Sequence, residues 1–367
     1  MELTVNRDDL YSGLLKTQSI VEKRSTMPIL SNILLEAGND VLKIKATDLE
    51  IAVDTSCPAK ISKEGSLTVP GKKLFEMVKE LDTTELKLSK KDTHLEMRSG
   101  KAVFNILGLT AEEFPSFPAY DNQMFFKLPS KVASRMIEKT IYAVSTDEIR
   151  YTLNGIFFEK KESQLKMVAT DGHRLSLITY SDPSVKEIGI GEGVIIPRKG
   201  AGELKRLIED GDGDLMVSIK DNNGAFKMGN TLLTMRMIEG EFPDYRQVLP
   251  AKGEREAKVN KGLLLKALKR VSTLSSEKSR GVKLSFSKGQ LDVFTANPEI
   301  GEASESIDAD FSGDEITVGF NARYLMETLN SIDEDEVKIE INDEFGPVQV
   351  KGGDGGDLLS IIMPMRL

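Results

Sequence analysis

The chain has 367 residues, 40% of them hydrophobic and 29% charged, with a net charge of −9. That size and composition point to a soluble globular protein of two or three domains. No apolar run approaches the roughly 18 residues of a membrane span, and the opening MELTVNRDDL lacks the basic-then-apolar layout of an export signal. Cys57 is the single cysteine, which excludes an internal disulfide, leaves no zinc-ligand set, and makes a reducing cytoplasm the expected compartment. Taken alone, the negative charge argues against a nucleic-acid partner.

The first third opens with Val5-Asn6-Arg7 ahead of Leu10, Leu14, Leu15 and Ile20. An Asn followed by apolar residues three and four apart predicts a helix over 7–24. LSNILLEAGNDVLKIKATDLEIAV, from Leu30, reads as strand, polar turn, strand, loop and strand. Next, a strand from Leu67 runs through Pro70 into a helix over 72–80; proline ends the strand and pre-sets the helix start. Strands at Leu86–Leu88, His94–Met97 and Val103–Ile106 follow, then the exit Glu113-Phe114-Pro115.

The second third repeats this order. Leu128-Pro129-Ser130 precedes Val132, Met136, Ile137 and Ile141, predicting a helix over 129–143. Leu153–Tyr180 gives three strands, in which Leu165, Met167 and Ala169 alternate with Lys166 and Val168. A strand from Val194 passes Pro197 into a helix over 198–210, followed by strands Leu215–Ile219 and Thr231–Met235 and the exit Glu241-Phe242-Pro243. In the last third, Val259-Asn260-Lys261 precedes Leu264, Leu265, Leu268 and Val271, predicting a helix over 260–271. A hairpin from Gly281, a strand from Ile316 and a helix over 322–332 complete it, and the chain finishes on Leu358–Leu367.

One unit therefore occurs three times, about 125 residues apart, a period far longer than that of solenoid repeats. Ala46–Asp48 and Ala169–Asp171 share Ala-Thr-Asp; the third copy has Thr295-Ala296-Asn297. The expected architecture is α+β: three repeated domains, 1–120, 127–250 and 257–367, each two copies of strand, helix and three strands. The predicted helices are together net basic and the remainder strongly acidic. Segregated charge of this kind suits a surface that attracts phosphates while the rest repels them.

Thr170–Leu175 contains Asp171 and His173, an acid–base combination, but no partnered Ser or Cys nucleophile and no metal set accompanies it, and His94 is isolated in a strand. Asp210-Gly-Asp-Gly-Asp214 opens like a calcium loop, but Leu215 and Asp221 stand where Gly and Glu are required, so it reads as a turn. Gly189–Gly193 lacks the Lys-Ser/Thr of a phosphate loop. No catalytic residue, cofactor or metal is expected.

Met27–Asn32, Ala46–Glu50, Arg150-Tyr151 with Leu153–Gly155, Ala169–Leu175, Pro197–Gly200, Glu241–Arg246 and Met363–Leu367 occur in an order and spacing that resembles the beta sliding clamp of bacterial DNA polymerase III. The resemblance covers the whole chain. It implies a DNA-clamp fold of three domains, with two chains joined head to tail into a ring, sheets outside and helices lining the hole. Non-specific encirclement of duplex DNA would then tether the polymerase for processive synthesis, with no chemistry of the chain's own. It further implies DNA contacts at Arg24, Lys72, Lys79, Arg150, Tyr151, Arg198 and Lys199. Dimer ends would hold Lys73, Met77, Phe104 and Ile106 on one side and Leu274 and Glu299 on the other.

The polymerase, the clamp loader and repair proteins would dock through short linear motifs in an apolar cleft. Carried over by position, one wall is Leu153, Thr170, Gly172, His173, Arg174 and Leu175. The rest is Pro243, Gln247, Val248, Pro347 and Ile361, with the tail residues Met363, Pro364, Met365 and Arg366. Pro364 cannot donate to a strand ladder, so the tail is expected to leave the sheet, with Arg174 and Arg366 at the rim. Gln247 stands where the family often has Arg, Pro347 where a small polar residue is common, Thr152 where relatives have an aromatic residue, and Gly301 where they often have an acid. The alternative is a non-enzymatic peptide-binding scaffold that never encloses DNA.

Overall fold

The computed structural model describes residues 1–21, 27–117, 125–187, 189–191, 193–211, 213–250, 253, 255–353 and 356–367. The first repeat runs β1 (Glu2–Asn6), α1 (Arg7–Leu15), β2 (Asn32–Gly38), β3 (Val41–Thr47), β4 (Ile51–Lys63), then β5 (Gly65–Pro70), α2 (Gly71–Lys79), β6 (Glu85–Lys91), β7 (His94–Ser99) and β8 (Ala102–Leu107). The second runs β9 (Phe126–Pro129), α3 (Ser130–Thr140), β10 (Gly155–Lys161), β11 (Gln164–Thr170), β12 (Arg174–Ser181), then β13 (Val194–Pro197), α4 (Arg198–Glu209), β14 (Asp214–Lys220), β15 (Asn223–Met228) and β16 (Thr231–Arg236). The third runs β17 (Arg255–Asn260), α5 (Lys261–Val271), β18 (Gly281–Ser287), β19 (Gln290–Asn297), β20 (Gly301–Ser312), then β21 (Ile316–Asn321), α6 (Ala322–Ser331), β22 (Glu336–Ile341), β23 (Val348–Gly352) and β24 (Leu358–Ile362). Strand, helix and three strands, twice per repeat, is the order read from the sequence.

The local chemistry of the repeat is conserved between copies of the unit. Asn6 accepts from the N–H groups of Asp8 and Asp9, Asn260 from Leu263, and Asn321 from Arg323 and Tyr324, so three helices start on an Asn side chain. Pro70 and Pro197 close β5 and β13 immediately ahead of α2 and α4. Asp48 takes the N–H groups of Glu50 and Ile51, Asp171 those of His173 and Arg174, and Asn297 that of Glu299. The repeated Asp or Asn is therefore a turn-maker between the third and fourth strands.

The chain divides into two compact units, each built on one twelve-stranded sheet. Met1–Ala133 with Gly202–Met237 carries a path ordered β8-β7-β6-β1-β4-β16-β15-β14-β9, with β3 joined to β4 and β2 to β3 and β5. Ser134–Ala201 with Ile238–Leu367 carries the order β13-β10-β11-β12-β24-β23-β22-β17-β20-β19-β18-β21. Every pairing is antiparallel, and the helices cover the apolar face with Leu10, Leu14, Leu74, Val78, Met136, Ile137, Leu264, Leu268, Leu325 and Leu329 buried.

Three expectations need correction. α1 ends at Leu15 rather than continuing to 24: Thr17 turns its N–H and its hydroxyl back onto the Leu14 carbonyl, which closes the last turn and leaves Leu15 46% exposed. Residues 22–24 of that expected helix lie outside the described residues. The basic character of α3 is largely spent: Lys139 is buried against Asp333, and Arg135 pairs with Asp333 and Asp357. Finally, β11 does not keep its alternation, because Val168 is as fully buried as Met167 and Ala169. Both faces of the sheet are covered there.

Candidate partner-peptide cleft

The second cover over β11 is the segment after Glu241. Phe242 stacks on Phe157 of β10, with ring centroids 5.0 Å apart and planes 5° from parallel. Tyr245 is buried with Val168, Leu175, Leu177 and Ile361, and its hydroxyl donates to Glu159 at 2.5 Å. Burial and that carboxylate both push the phenol's pKa up. The segment is thus fastened to the sheet by a stacked ring and a buried hydrogen bond, while the single 3₁₀ turn Tyr245–Val248 leaves Gln247 and Val248 outward, Val248 44% exposed.

The loop between β11 and β12 carries the next expected residues of the candidate cleft. Thr170 donates its hydroxyl to the Arg174 carbonyl at 2.6 Å and accepts the Gly172 N–H at 3.1 Å. Gly172 has φ +86, a conformation that favours glycine, and the Arg150 guanidinium lies close enough that a Cβ there would have to displace it. Gly172 and His173 are exposed; Leu153, Leu175 and Ile361 are buried beneath.

Arg174 is not at the rim. Its side chain is 6% exposed, with Nε on Asp171 at 3.1 Å, one terminal nitrogen on Glu327 and the other on the Tyr142 carbonyl at 2.6 Å. The Asp171 carboxylate is accordingly consumed by two backbone N–H groups and by Arg174, which removes the acid–base reading of this loop on structural grounds.

The tail leaves β24 after Ile362, as its proline requires, but stays bonded to its surroundings. Met363 donates its N–H to the His173 carbonyl at 2.8 Å and Met365 to the Gly319 carbonyl at 2.9 Å. Leu367 sits over Gly281 and Gly319: a Cβ at Gly281 would meet the Leu367 side chain, and one at Gly319 the Met365 carbonyl. Met363 is 37% exposed, Pro364 and Met365 are half-buried, and the Arg366 guanidinium rests on the Phe345 ring at 5.4 Å. Val348 pairs with Ile362, which sets Pro347 beside the start of the tail. A pocket of about 480 Å³ lies along the tail, lined by Lys283, Thr317, Gly319, Glu344, Phe345, Met365, Arg366 and Leu367. Of these, the sequence reading named only the two tail residues Met365 and Arg366.

Three sequence profiles cover nearly the whole chain. The N-terminal domain of the DNA polymerase III beta subunit matches residues 1–118, its central domain 127–244 and its C-terminal domain 246–366. The chain belongs to the beta sliding clamp family. It is 35% identical to the beta sliding clamp of Escherichia coli K12 and 36% to that of Caulobacter vibrioides, in both cases over all of each chain. Its fold superposes on the Bartonella birtlesii sliding clamp solved bound to griselimycin with a TM-score of 0.95 at 35% identity, and on the Bacillus subtilis clamp with 0.94 at 27%, covering all of this chain in each case. The fold is therefore that of three clamp domains, and the protein is a sliding clamp of DNA polymerase III, a processivity factor and a non-catalytic subunit.

The remaining expected residues of this clamp fall in two groups. Lys72 and Lys79 are exposed on α2, and Arg198 and Lys199 are exposed in the first turn of α4; Arg24 lies outside the described residues. Arg150, paired with Asp147 at 3.3 Å, lies against Gly172, and the exposed Tyr151 lies against Gly240, so both stand beside the candidate cleft. At the expected dimer ends, Lys73 is exposed and bonded to Glu76, Met77 and Phe104 are half-buried, and Ile106 is buried within its own chain. Leu274 is half-buried in the turn after α5, and Glu299 is exposed. Sequence reasoning missed the bare apolar side chains Val103 (49% exposed) and Leu107 (63%) on β8, and Ile300 (58%) ahead of β20. Val103 and Leu107 lie on a strand paired on one side only, with β7, and Ile300 immediately precedes β20.

Proposed function

We propose that this clamp acts as a head-to-tail homodimer whose closed ring encircles duplex DNA without sequence preference. The observation that carries the reading is a strand pairing made twice and left unmade once. β4 pairs with β16 from Ile51↔Met235 to Thr55↔Thr231, and β12 pairs with β24 from Arg174↔Ile362 to Ile178↔Leu358. Each time, the fourth strand of one repeat takes the last strand of the next. β20 is the fourth strand of the third repeat; among the described residues its Gly301–Asp308 stretch pairs with β19 alone, and β8, the last strand of the first repeat, is a sheet edge. Aligned on Asp48, Asp171 and Asn297, Ile300 corresponds to Ile51 and Arg174. Those two are 1% and 6% exposed, whereas Ile300 is 58% exposed. A second copy's β8 supplies the missing cover, with Ile300 opposite Ile106 and Ala303 opposite Val103. A contact of this heterologous kind, made reciprocally, closes two copies into a ring.

In this reading, 1–120, 127–250 and 257–367 are the repeated domains. Lys72, Lys79, Arg198 and Lys199 meet phosphates, which attract without carrying sequence information and so leave sliding unhindered. The polymerase, the loader and other DNA enzymes, all cytoplasmic, dock short motifs with Leu or Phe anchors between the His173 loop, Val248 and the tail. The two methionines there suit several ligands. A ring stays on nicked circular DNA and is lost when the circle is cut, and its mass in solution is that of two chains. Equal loss from circular and linear DNA would instead favour the scaffold that never encloses DNA.

A further inference from the structure

We propose that Glu327, on α6 and outside the cleft, is a positioning residue that holds the His173 loop in its peptide-receiving shape, acting through Arg174. The proposal rests on the reading of these walls as the partner-peptide cleft. Arg174 ends the loop, and its cation is enclosed. The ring of Tyr324 lies 4.4 Å from the guanidinium carbon and that of Tyr142 5.3 Å. A charge so enclosed is tolerated only when its donors are satisfied. Asp171 supplies one carboxylate from within the loop; the second comes from Glu327, 153 residues away in the chain.

α6 is built to present that carboxylate. Asn321 caps its first turn, so Tyr324 and Glu327 fall three residues apart on one face. Tyr324 stacks alongside His173, with ring centroids 6.2 Å apart and planes 19° from parallel. Arg323 donates to the other Glu327 oxygen at 2.8 Å, which fixes the rotamer in which the carboxylate meets Arg174. The loop is thus gripped from below by α6, while its outer edge receives the tail through the bond from Met363 to the His173 carbonyl. Without Glu327, Arg174 keeps one carboxylate in a site shaped for two, and the loop that carries Gly172 and His173 loses its fixed height against the tail.

The test is a double-mutant cycle read by fluorescence anisotropy of a labelled pentapeptide with Leu and Phe anchors and one Asp. Glu327→Ala should weaken the peptide about tenfold in the parent protein and less than about twofold in the Arg174→Met background, since contacting groups couple where independent ones add. Glu327→Gln, which keeps an acceptor for Arg174, should recover most of the affinity and guards against a simple folding defect. The dimer mass should be the same throughout. An arm lacking Met363–Leu367 tests the cleft itself. If it binds the peptide as the parent does, the cleft is elsewhere and the proposal falls with it. If it fails to bind while Glu327→Ala costs the same fold in both backgrounds, the cleft stands and the role of Glu327 is refuted.

Discussion

The Tyr245 hydroxyl donates to Glu159 across 86 residues of chain, and both side chains are buried. That bond, with the Phe157–Phe242 stack, turns the segment after the second repeat into a fixed wall. Tyr245→Phe should cost about 1–3 kcal/mol, the usual consequence of stranding a buried acceptor. Adding Glu159→Leu should return part of that loss, because replacing both partners by apolar groups removes the stranded charge. Denaturant midpoints check both. A Tyr245→Phe protein as stable as the parent would mean the bond contributes nothing to the wall.

The open edge at the start of β20, which pairs only with β19 over Gly301–Asp308, makes a sharper prediction than mass alone. With Val103→Cys and Ala303→Cys in one chain, oxidation should give a covalent species of two chains. Directly opposed strand positions lie about 4.5–5.5 Å apart at Cα, within disulfide reach. Moving the second cysteine to Glu302 places its side chain on the opposite face of the strand and should abolish the product. Cys57 will not interfere, since it is buried and its thiol is pushed up to about 12 by that burial. Equal yields from both pairs would refute the register.

Almost all of the element order was legible, because helix and strand periods and the Asn and Pro starts are local. Apart from the early end of α1, which is set locally by Thr17, what failed was decided by distant contacts. Whether the Arg135 and Lys139 charges face solvent depends on Asp333 and Asp357, roughly two hundred residues on. Arg174 reads as a rim cation from its loop position, and only the arrival of Tyr142, Tyr324 and Glu327 buries it. The second cover over β11 left one trace in the sequence: Met167-Val168-Ala169 is too apolar for a strand with one wet face, and Val168 is where Tyr245 packs. The Asp171–His173 pair was set aside as chemistry for want of a nucleophile or metal set, and Asp171 makes the turn instead.

Replacing Arg198 and Lys199 by Ala should weaken binding to all duplex sequences alike. Each phosphate contact removed should lower the slope of log affinity against log salt by about 0.9. Both side chains are exposed in the first turn of α4, so the fold should tolerate the change. Titrations at several salt concentrations with two unrelated duplexes decide the matter. An unchanged slope would take these residues off the DNA path, and a loss confined to one duplex would contradict contact with the backbone alone.

The Glu327 carboxylate also sets a pH dependence whose sign follows from its surroundings. Burial raises its pKa, but hydrogen bonds from Arg323 and Arg174 together outweigh that, and the group ends below its ordinary 4.5. A carboxylate held lower in the folded chain than in the unfolded one stabilises the fold fully above the unfolded value, and that stabilisation disappears as pH falls through the folded one. Glu327→Gln removes the titration while keeping the shape. The gap in melting temperature between parent and variant should therefore be constant from pH 7 down to about 5. It should then narrow below 4.5 and vanish once the folded carboxyl is protonated. Peptide affinity should lose its own advantage over the variant across the same acid range, since the group that stabilises the fold is the one that holds Arg174. A gap that widens toward acid would show that Glu327 is protonated more readily in the folded chain, and its partnership with Arg174 would have to be abandoned.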